Sequence, residues 1–587
     1  MRRFTALVLT FALSGGLAAP TTWYVDDDNC PGPGSGSDSD PFCRIQDAIE
    51  LAADGDTVLV LPGTYGELID FRGKAITVRS SAGAAATIID GQDQGTVVTF
   101  RSGEDRDSVL EGFTVTNGYR EFWVSAGVVC RSQSSPTIVA NIIHHNVSRG
   151  TYLYGAGAGV CCIGSSAPLI QQNIIRDNQA GRGAGIACLL ASSPIIVANT
   201  IERNDHQGVY CDEGSHPWIL RNRIANNTAN GIECHWDCSP TIEGNEILDN
   251  GGSIDGGGIY CQNGSPRIVG NLMTGNFAYY RGGAISCYYA GAPEIRNNII
   301  AYNWITGPYV PWGGGLYWGE GVTPTLVGNI VAYNKADLGA GMFCIGRGHL
   351  SCNTFFGNDA EEEGGGIYCT SGAHVTISNC IVWGNEAPKS PEIAGGPAVT
   401  YSDVRGGWAG EGNIDADPLF ADVATLDLRL RRYSPCIDAG DPAEQPCLEA
   451  DLLGNPRLLD GDLDRLMRLD MGACSFANVH LDISGEPHPG SVLTFTTSGT
   501  AGLTVWLAAG TQSGAICIDP FGAFFVDTGS PFWLLWWGGI PAPGSYDVRL
   551  RVPLDLPVPS DFVFQEIALD LRTASGNTSN ALELTVE

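Results

Sequence analysis

Residues 240–261 read PTIEGNEILDNGGSIDGGGIYC, and this stretch decides the fold. Its first half has the form P-x-I-x-x-N-x-I-x-x-N. Its last four residues, Gly258-Ile259-Tyr260-Cys261, have the form G-φ-x-C, where φ is apolar. The first form recurs ten times, with its first Asn at Asn141, Asn173, Asn199, Asn222, Asn245, Asn271, Asn298, Asn329, Asn353 and Asn379. A second Asn follows each: Asn146, Asn178, Asn204, Asn227, Asn250, Asn276, Asn303, Asn334, Asn358 and Asn385. Successive units are 23 to 32 residues apart. Self-similarity at that period is the mark of a solenoid, in which each unit buries its apolar face only by stacking on its neighbours.

Within each unit the apolar period is two, which predicts strands. Side chains of a strand alternate between faces, so φ and Cys of the G-φ-x-C element share the interior. The resulting column is Cys130, Cys162, Cys188, Cys211, Cys234, Cys261, Cys287, Cys344 and Cys369, with Trp318 taking one step. Free Cys behaves as a small buried hydrophobe, and one thiol per coil does not make a metal site. Asn at each corner tolerates left-handed backbone, and stacked amides can satisfy one another. The expected fold is therefore all-β, a parallel β-helix. Replacement of a ladder Asn by Leu is expected to strand its neighbours' amides.

Composition agrees. Gly is abundant at 78 residues but shows no G-X-Y period, so the chain is not collagen. Asp+Glu number 64 against 32 Lys+Arg, a net charge of −32. That charge repels nucleic acid and anionic membranes. At the N-terminus, Arg2 and Arg3 precede the short apolar run Phe4 to Leu13 and the small residues Gly15, Gly16, Ala18 and Ala19. This reads as a signal peptide over residues 1–19, too short to span a bilayer, and predicts a secreted or outer-surface protein with no membrane span. Export permits disulfides. Cys30 and Cys43 bracket a turn-rich loop and are one candidate pair, and Cys436, Cys447 and Cys474 can supply a second.

The repeat resembles the right-handed parallel β-helix repeats of the pectate-lyase-like superfamily, whose Asn ladders look like these. The segment from Ile45-Gln46-Asp47-Ala48-Ile49 through Gly55-Asp56-Thr57-Val58 to Pro62-Gly63-Thr64-Tyr65 is similar to the opening coil of secreted members. It implies a helix over about Arg44 to Ala53 that caps the open end, with coils running to about residue 405. The motifs Asp417-Pro418-Leu419-Phe420, Ser434-Pro435-Cys436-Ile437-Asp438-Ala439-Gly440, Gly454-Asn455-Pro456-Arg457 and Asp470-Met471-Gly472-Ala473 resemble a closing segment called choice-of-anchor Q type. That family usually ends in G-A-Y-E, where this chain has Gly472-Ala473-Cys474-Ser475. The superfamily includes lyases, hydrolases, epimerases and non-catalytic adhesins, so the resemblance names no reaction. Beyond Ala477 alternating runs broken by Gly and Pro read as a β-sandwich. The expected division is a β-helix with its cap over 20–416, the anchor-like segment over 417–476 and the sandwich over 477–587.

Alternation also places the outward residues. The x column reads Val129, Cys161, Ala187, Tyr210, Glu233, Tyr260, Ser286, Tyr317, Phe343 and Tyr368. The residues after each Cys include Asp212, His235, Gln262 and Tyr288. The coils at Asn204 and Asn227 have almost no loop before the next G-φ-x-C strand, whereas long aromatic loops occur at 147–158 and 304–314, with Tyr152, Tyr154, Trp304, Tyr309 and Trp312. A bare face between overhanging loops predicts a groove. Tyr210, Tyr260, Gln262, Tyr288, Trp304, Trp312 and Tyr317 are expected to hold sugar rings there. Asp212 and Glu233, on adjacent coils, are the candidate carboxylate pair for glycoside hydrolysis, with His235 tuning either or acting as base. Asp460, Asp462 and Asp464 alternate as calcium ligands do, although Met471 stands where an EF-hand carries its Glu; any Ca²⁺ there would be structural. His144-His145 reads as surface and Glu361-Glu362-Glu363 as a solvated turn. The expected function is binding of a polysaccharide or cell-surface glycan by the exposed sheet face. The alternatives are a polysaccharide lyase or glycoside hydrolase on that face, and a non-catalytic adhesive protein.

Overall fold

The computed structural model describes residues 19–476 except 31, 33, 122–124, 151–155, 309–310, 444–449, 456 and 460–467. Beyond 476 it describes only the backbones of the strands between Val479 and Val586. Three long parallel sheets form the solenoid. The entry sheet has 15 strands, from Thr22–Val25 to Ala398–Thr400, and carries the P-x-I-x segments. The Asn sheet has 14 strands, from Gly63–Tyr65 to Asp403–Val404, and carries the segments between the two Asn columns. The Cys sheet has 13 strands, from Ile69–Asp70 to Ile393–Ala394. One coil visits each sheet once, so every strand pairs with its counterparts one coil away.

The Cys column is interior and in register as predicted. Cys162 pairs with Cys188, Cys188 with Cys211, Cys211 with Cys234 and Cys234 with Cys261, and Trp318 sits between Cys287 and Cys344. All nine thiols are buried and free. The Gly of G-φ-x-C is required by close approach. A Cβ on Gly208 would lie 2.8 Å from the Gly231 carbonyl and 2.9 Å from the Asn227 amide.

The Asn columns are continuous ladders. Asn245 Oδ1 accepts from Asn222 N at 2.8 Å and Asn222 Nδ2 at 3.0 Å. Asn245 in turn donates from N and Nδ2 to Asn271 Oδ1, and Nδ2 also reaches the Ile219 carbonyl at 2.8 Å. Every amide is thus buried with its donors and acceptors engaged, which removes the desolvation cost of burying it. One expected member is corrected. Asn385 stands six residues after Asn379 but five after Cys380, and Asn353 N donates to Cys380 Sγ at 3.3 Å. Cys380 holds the ladder position, while Asn379 turns outward at φ +53° and its Oδ1 accepts from Asp441 N. The second column ends on Glu392, which accepts from Asn385 Nδ2 at 2.6 Å and Gly384 N at 2.9 Å.

The expected cap is present as a helix over Ile45–Leu51 whose Ile45, Ala48 and Ile49 close the end of the core. Glu67 accepts from Ile45 N at 2.7 Å and Gln46 N at 3.1 Å. Lys74 Nζ donates to the carbonyls of Ile49, Glu50 and Ala52, the cationic partner that a helix C-terminus favours. The sheet stacking begins ahead of the helix, because Thr22–Val25 already pairs with Thr57–Val60. Cys30 and Cys43 form the expected disulfide. Cys436 and Cys474 are free and buried, and Cys447 lies outside the described residues.

The segment after Asp417 folds back on the outer side of the Asn sheet. Phe420, Leu428, Leu430, Met471 and Ala473 pack on Ile330, Ala332 and Ile381. Beyond Ala477 the strands pair antiparallel, as Val479–Ser484 does with Val492–Gly499. The side chains that would define a sandwich lie outside the described residues, as do the leader and the Asp460, Asp462 and Asp464 loop.

Replacing Asn245 with Leu leaves Asn222 N and Nδ2 without their acceptor and removes the Nδ2 donor from Asn271 Oδ1 and from the Ile219 carbonyl, while the backbone N of residue 245 still reaches Asn271 Oδ1. The expected loss is about 1–3 kcal/mol for each group left unsatisfied, read as a lowered midpoint in thermal or urea unfolding. Asn379→Leu, outside the ladder, is expected to cost less than Asn245→Leu; the reverse order would refute the ladder account.

Candidate functional site

Between the Asn sheet and the Cys sheet, most coils insert an extra strand. Tyr119–Glu121, Val147–Arg149 and Gln179–Ala180 make a three-stranded side sheet. Gly251–Asp255, Phe277–Arg281, Trp304–Ile305, Lys335–Leu338 and Asp359–Glu363 make a five-stranded one. The coils at Asn204 and Asn227 have only three residues there, Asp205-His206-Gln207 and Thr228-Ala229-Asn230, too few to add a strand. The side sheets therefore stop on either side of them. The gap between Arg182 and Asp255 spans three strand spacings, about 14 Å.

This gap is the predicted groove, with walls of a different origin. It is a cavity of about 600 Å³ lined by Arg182, His206, Gln207, Asn230, Glu233, Asp255 and Tyr260, among others. Of the expected residues it holds Glu233 and Tyr260. His235 stands directly behind, with Nε2 2.5 Å from Glu233 Oε1. Its ring lies between Tyr210 and Tyr260, at centroid distances of 5.8 and 5.5 Å.

Several expected positions are corrected. Tyr210 and Asp212 are buried, at 1% and 4% exposure. Tyr210 donates its hydroxyl to Asp212 Oδ2 at 2.6 Å, Asp212 also accepts from Glu213 N, and Arg182 hydrogen-bonds the Tyr210 hydroxyl from above. The pair is a closed network outside the cavity lining. Trp304 and Trp312 lie beyond the wall strand Gly251–Asp255 and do not line the cavity. Trp304 stacks on Phe277 at 5.6 Å, and Trp312 stacks on Phe343 at 5.2 Å. Trp312 also stacks on Tyr317, which is buried. Gln262 and Tyr288 are half-buried on the Cys sheet, away from the cavity. Val129, Cys161, Ala187, Ser286 and Phe343 point outward yet are buried. Alternation gave the direction of these side chains correctly, but covering elements decide their exposure.

Sequence reasoning missed Asp255, which ends the first strand of the five-stranded side sheet and reaches the cavity from the wall. The only signal was a seven-residue interval between Asn250 and Gly258 following two intervals of three residues. Asp255 pairs in register with Arg281, whose guanidinium lies 3.6 Å away. Arg281 is held among rings, 4.8 Å from Tyr288, 5.6 Å from Trp312 and 5.4 Å from Tyr317. Asp255 Oδ1 is buried with no hydrogen-bond partner among the described residues.

The two cavity carboxyls are driven apart. Burial pushes Asp255 up to about 6, and Arg281 offsets this only in part. Burial also raises Glu233, but His235, Gln207 and His206 together outweigh it and hold the carboxyl below its ordinary value. One carboxyl thus keeps its proton well above the usual carboxylate range while its neighbour is ionised, the division of labour that acid–base catalysis needs. Among the described residues no group of three or more His, Cys, Asp or Glu could hold a metal, and no helix is long and apolar enough to cross a membrane.

A family model described as a right-handed beta helix region matches residues 106–278 and 253–403. The chain belongs to the right-handed β-helix family. No curated protein matches it in sequence. Solved structures similar to this β-helix protein include a complex of XylC with xylose, at 12% identity, covering 68% of this chain and 87% of that one, with a TM-score of 0.36. A GH136 lacto-N-biosidase from Eubacterium ramulus is 12% identical over 64% of this chain and 68% of that one, with a TM-score of 0.28. A rhamnogalacturonan lyase is 13% identical over 68% and 91%, with a TM-score of 0.22.

The Asp255 arrangement has a consequence for stability. In the folded protein its carboxyl holds a proton to about pH 6, against an ordinary value of 3.8. The folded state binds more protons across that window, so Asp255 makes stability fall as pH rises through it, by roughly 2–3 kcal/mol. Asp255→Asn should lose less stability between pH 4 and 7 than the parent, and Arg281→Met, which removes the nearby cation, should lose more. Identical pH dependence of the unfolding midpoint in all three proteins would show that Asp255 ionises normally.

Proposed function

We propose that this β-helix protein binds a glycan in the cavity between its side sheets and hydrolyses a glycosidic bond there. The observation that carries the reading is the pair Asp255 and Glu233, which line one cavity with their proton affinities pushed in opposite directions. Asp255 is the general acid. It donates its proton to the glycosidic oxygen as the bond to the anomeric carbon breaks. Glu233 is the base. It takes a proton from a water molecule whose oxygen bonds to that carbon, so one glycosidic bond and one water become two hydroxyl-bearing products. Gln207 and His235 hold Glu233 through one oxygen each. Tyr260 offers a ring face to the sugar, and Arg182 and His206 offer donors to its hydroxyls.

The net charge of −32 favours a neutral glycan over a polyanionic one. Secretion belongs to the same proposal. It is supported by the Cys30–Cys43 disulfide, a bond that persists in oxidising compartments.

Incubation with neutral polysaccharides and oligosaccharides should release reducing ends. Activity should fall below the ordinary range of a Glu carboxyl, where Glu233 takes up a proton, and again above about pH 6, where Asp255 loses one. Glu233→Gln and Asp255→Asn should each lower kcat by about 10²-fold or more while sugar binding survives, since general acid–base catalysis is worth about 10²–10⁴. Full activity in either variant would remove that residue from the chemistry.

A further inference from the structure

The coils that form the cavity carry a second concavity at the opposite end of their Cys-sheet strands, where the chain turns toward the entry sheet. It has a volume of about 330 Å³ and is lined by Asp237, Ser239, Asn263, Gly264, Ser265 and Gly291, among others. The chain neighbours of this lining include two large exposed rings. Trp236 is 53% exposed and Tyr289 is 56% exposed. The turns stack in register, with Gly214 N donating to the Trp236 carbonyl, Asp237 N to Asn263 and Asn263 N to Tyr288. Trp236 and Tyr289 are therefore two coils apart, about 10 Å, with Asn263 on the coil between.

Turn chemistry does not account for the rings. Trp236 has φ +43° and Tyr289 φ +67°, a conformation that bulky residues rarely adopt. The coil between them meets the same requirement with Asn263 at φ +54°, a residue suited to it. Tyr289 is braced edge-on by Tyr288 at 4.3 Å. Between the rings the surface is polar. Ser239 Oγ accepts from Ser265 N, and Ser265 Oγ accepts from Ala292 N, both at 3.0 Å, so each hydroxyl retains its own proton for a ligand.

We infer that this concavity is a second saccharide-binding site, for a neutral sugar chain whose apolar faces rest on Trp236 and Tyr289. The rings supply stacking area and the hydroxyls, the Asn263 amide and the Asp237 carboxylate supply partners for sugar hydroxyls. Asp237 and the overall negative charge disfavour an anionic chain. Glu233 and Asp237 are four residues apart on one coil, Glu233 in the strand Ile232–Cys234 and Asp237 in the turn that follows it. Half-buried His235 lies between them, with Gln262 and Tyr288 on the next coils. A chain seated in the catalytic cavity can thus cross the Cys sheet to this site; that continuity, though not the site itself, rests on the function proposed above.

The test is binding, measured by calorimetry on the full-length Glu233→Gln protein so that no probe is consumed. The probes are xylo-, cello- and laminari-oligosaccharides of two and six residues. The comparison is the same protein carrying Trp236→Asn and Tyr289→Asn, substitutions that suit the left-handed backbone, with unchanged thermal unfolding as the folding control. Removing both rings should weaken binding of at least one hexasaccharide by about tenfold or more. Unchanged affinity in the double variant, or no binding of any probe by the parent, would overturn the site. Binding that depends on the two rings in a protein whose wild-type form cleaves no probe would uphold the site while refuting hydrolysis in the first cavity.

Discussion

The fold depends on one repeated interaction, the amide-to-amide hydrogen bond between Asn side chains on successive coils. A solenoid corner must bury backbone that no sheet ladder can satisfy, because the chain is turning. Each ladder Asn meets this need with a single side chain. Its oxygen takes the backbone and side-chain donors of the coil before it, and its nitrogen reaches a strand carbonyl there. Because every rung uses the next, the interaction is periodic and lets coils of 23 and of 32 residues stack in one register. Length differences are expelled to the connections, where they add strands instead of disrupting the core.

That expulsion creates the cavity. The outer face of the Cys sheet would be bare if all coils were alike. Inserted side strands cover much of it, and the two shortest coils leave it open. The cavity is therefore an absence of insertion between two insertions. Its floor, Glu233 and Tyr260, belongs to the repeat, and its wall, Asp255, belongs to an insertion. The wall position explains the two proton affinities. A carboxyl on a strand packed beside Arg281 and its aromatic neighbours is desolvated, while Glu233 keeps three polar partners that favour its charge. A protein that buries one acid in apolar surroundings and hydrogen-bonds the other obtains two protonation states from one residue type.

The end of the second ladder shows the same economy. Where no further Asn follows Asn385, Glu392 takes the acceptor role through a short loop and returns to the coil it caps. In the first column Cys380 ends the run of amides, and Asn379 is released to hold the returning tail through Asp441 and Gly472. The tail then packs on the outer side of the Asn sheet at its C-terminal coils, against Ile330, Ala332 and Ile381.

The sequence by itself determined what is periodic. The interior Cys column, the Asn corners and the place of the groove follow from residue type at fixed spacing, because strand alternation and amide stacking are local rules, whereas the N-terminal helix cap came from the family resemblance and the Cys30–Cys43 pair from the loop those cysteines bracket. The same rules point Glu233, Tyr260 and His235 outward beside the short coils, where Glu233 and Tyr260 line the cavity. Only the tertiary structure decided what covers an outward residue. Tyr210 and Asp212 obey the same alternation as Glu233 yet are buried, because Arg182 and the adjoining wall close over them. Asp255 was invisible for the complementary reason. It lies in an insertion with no repeat to give it a direction, and only the pairing of that insertion with Phe277–Arg281 on the next coil turns it into a wall of the site.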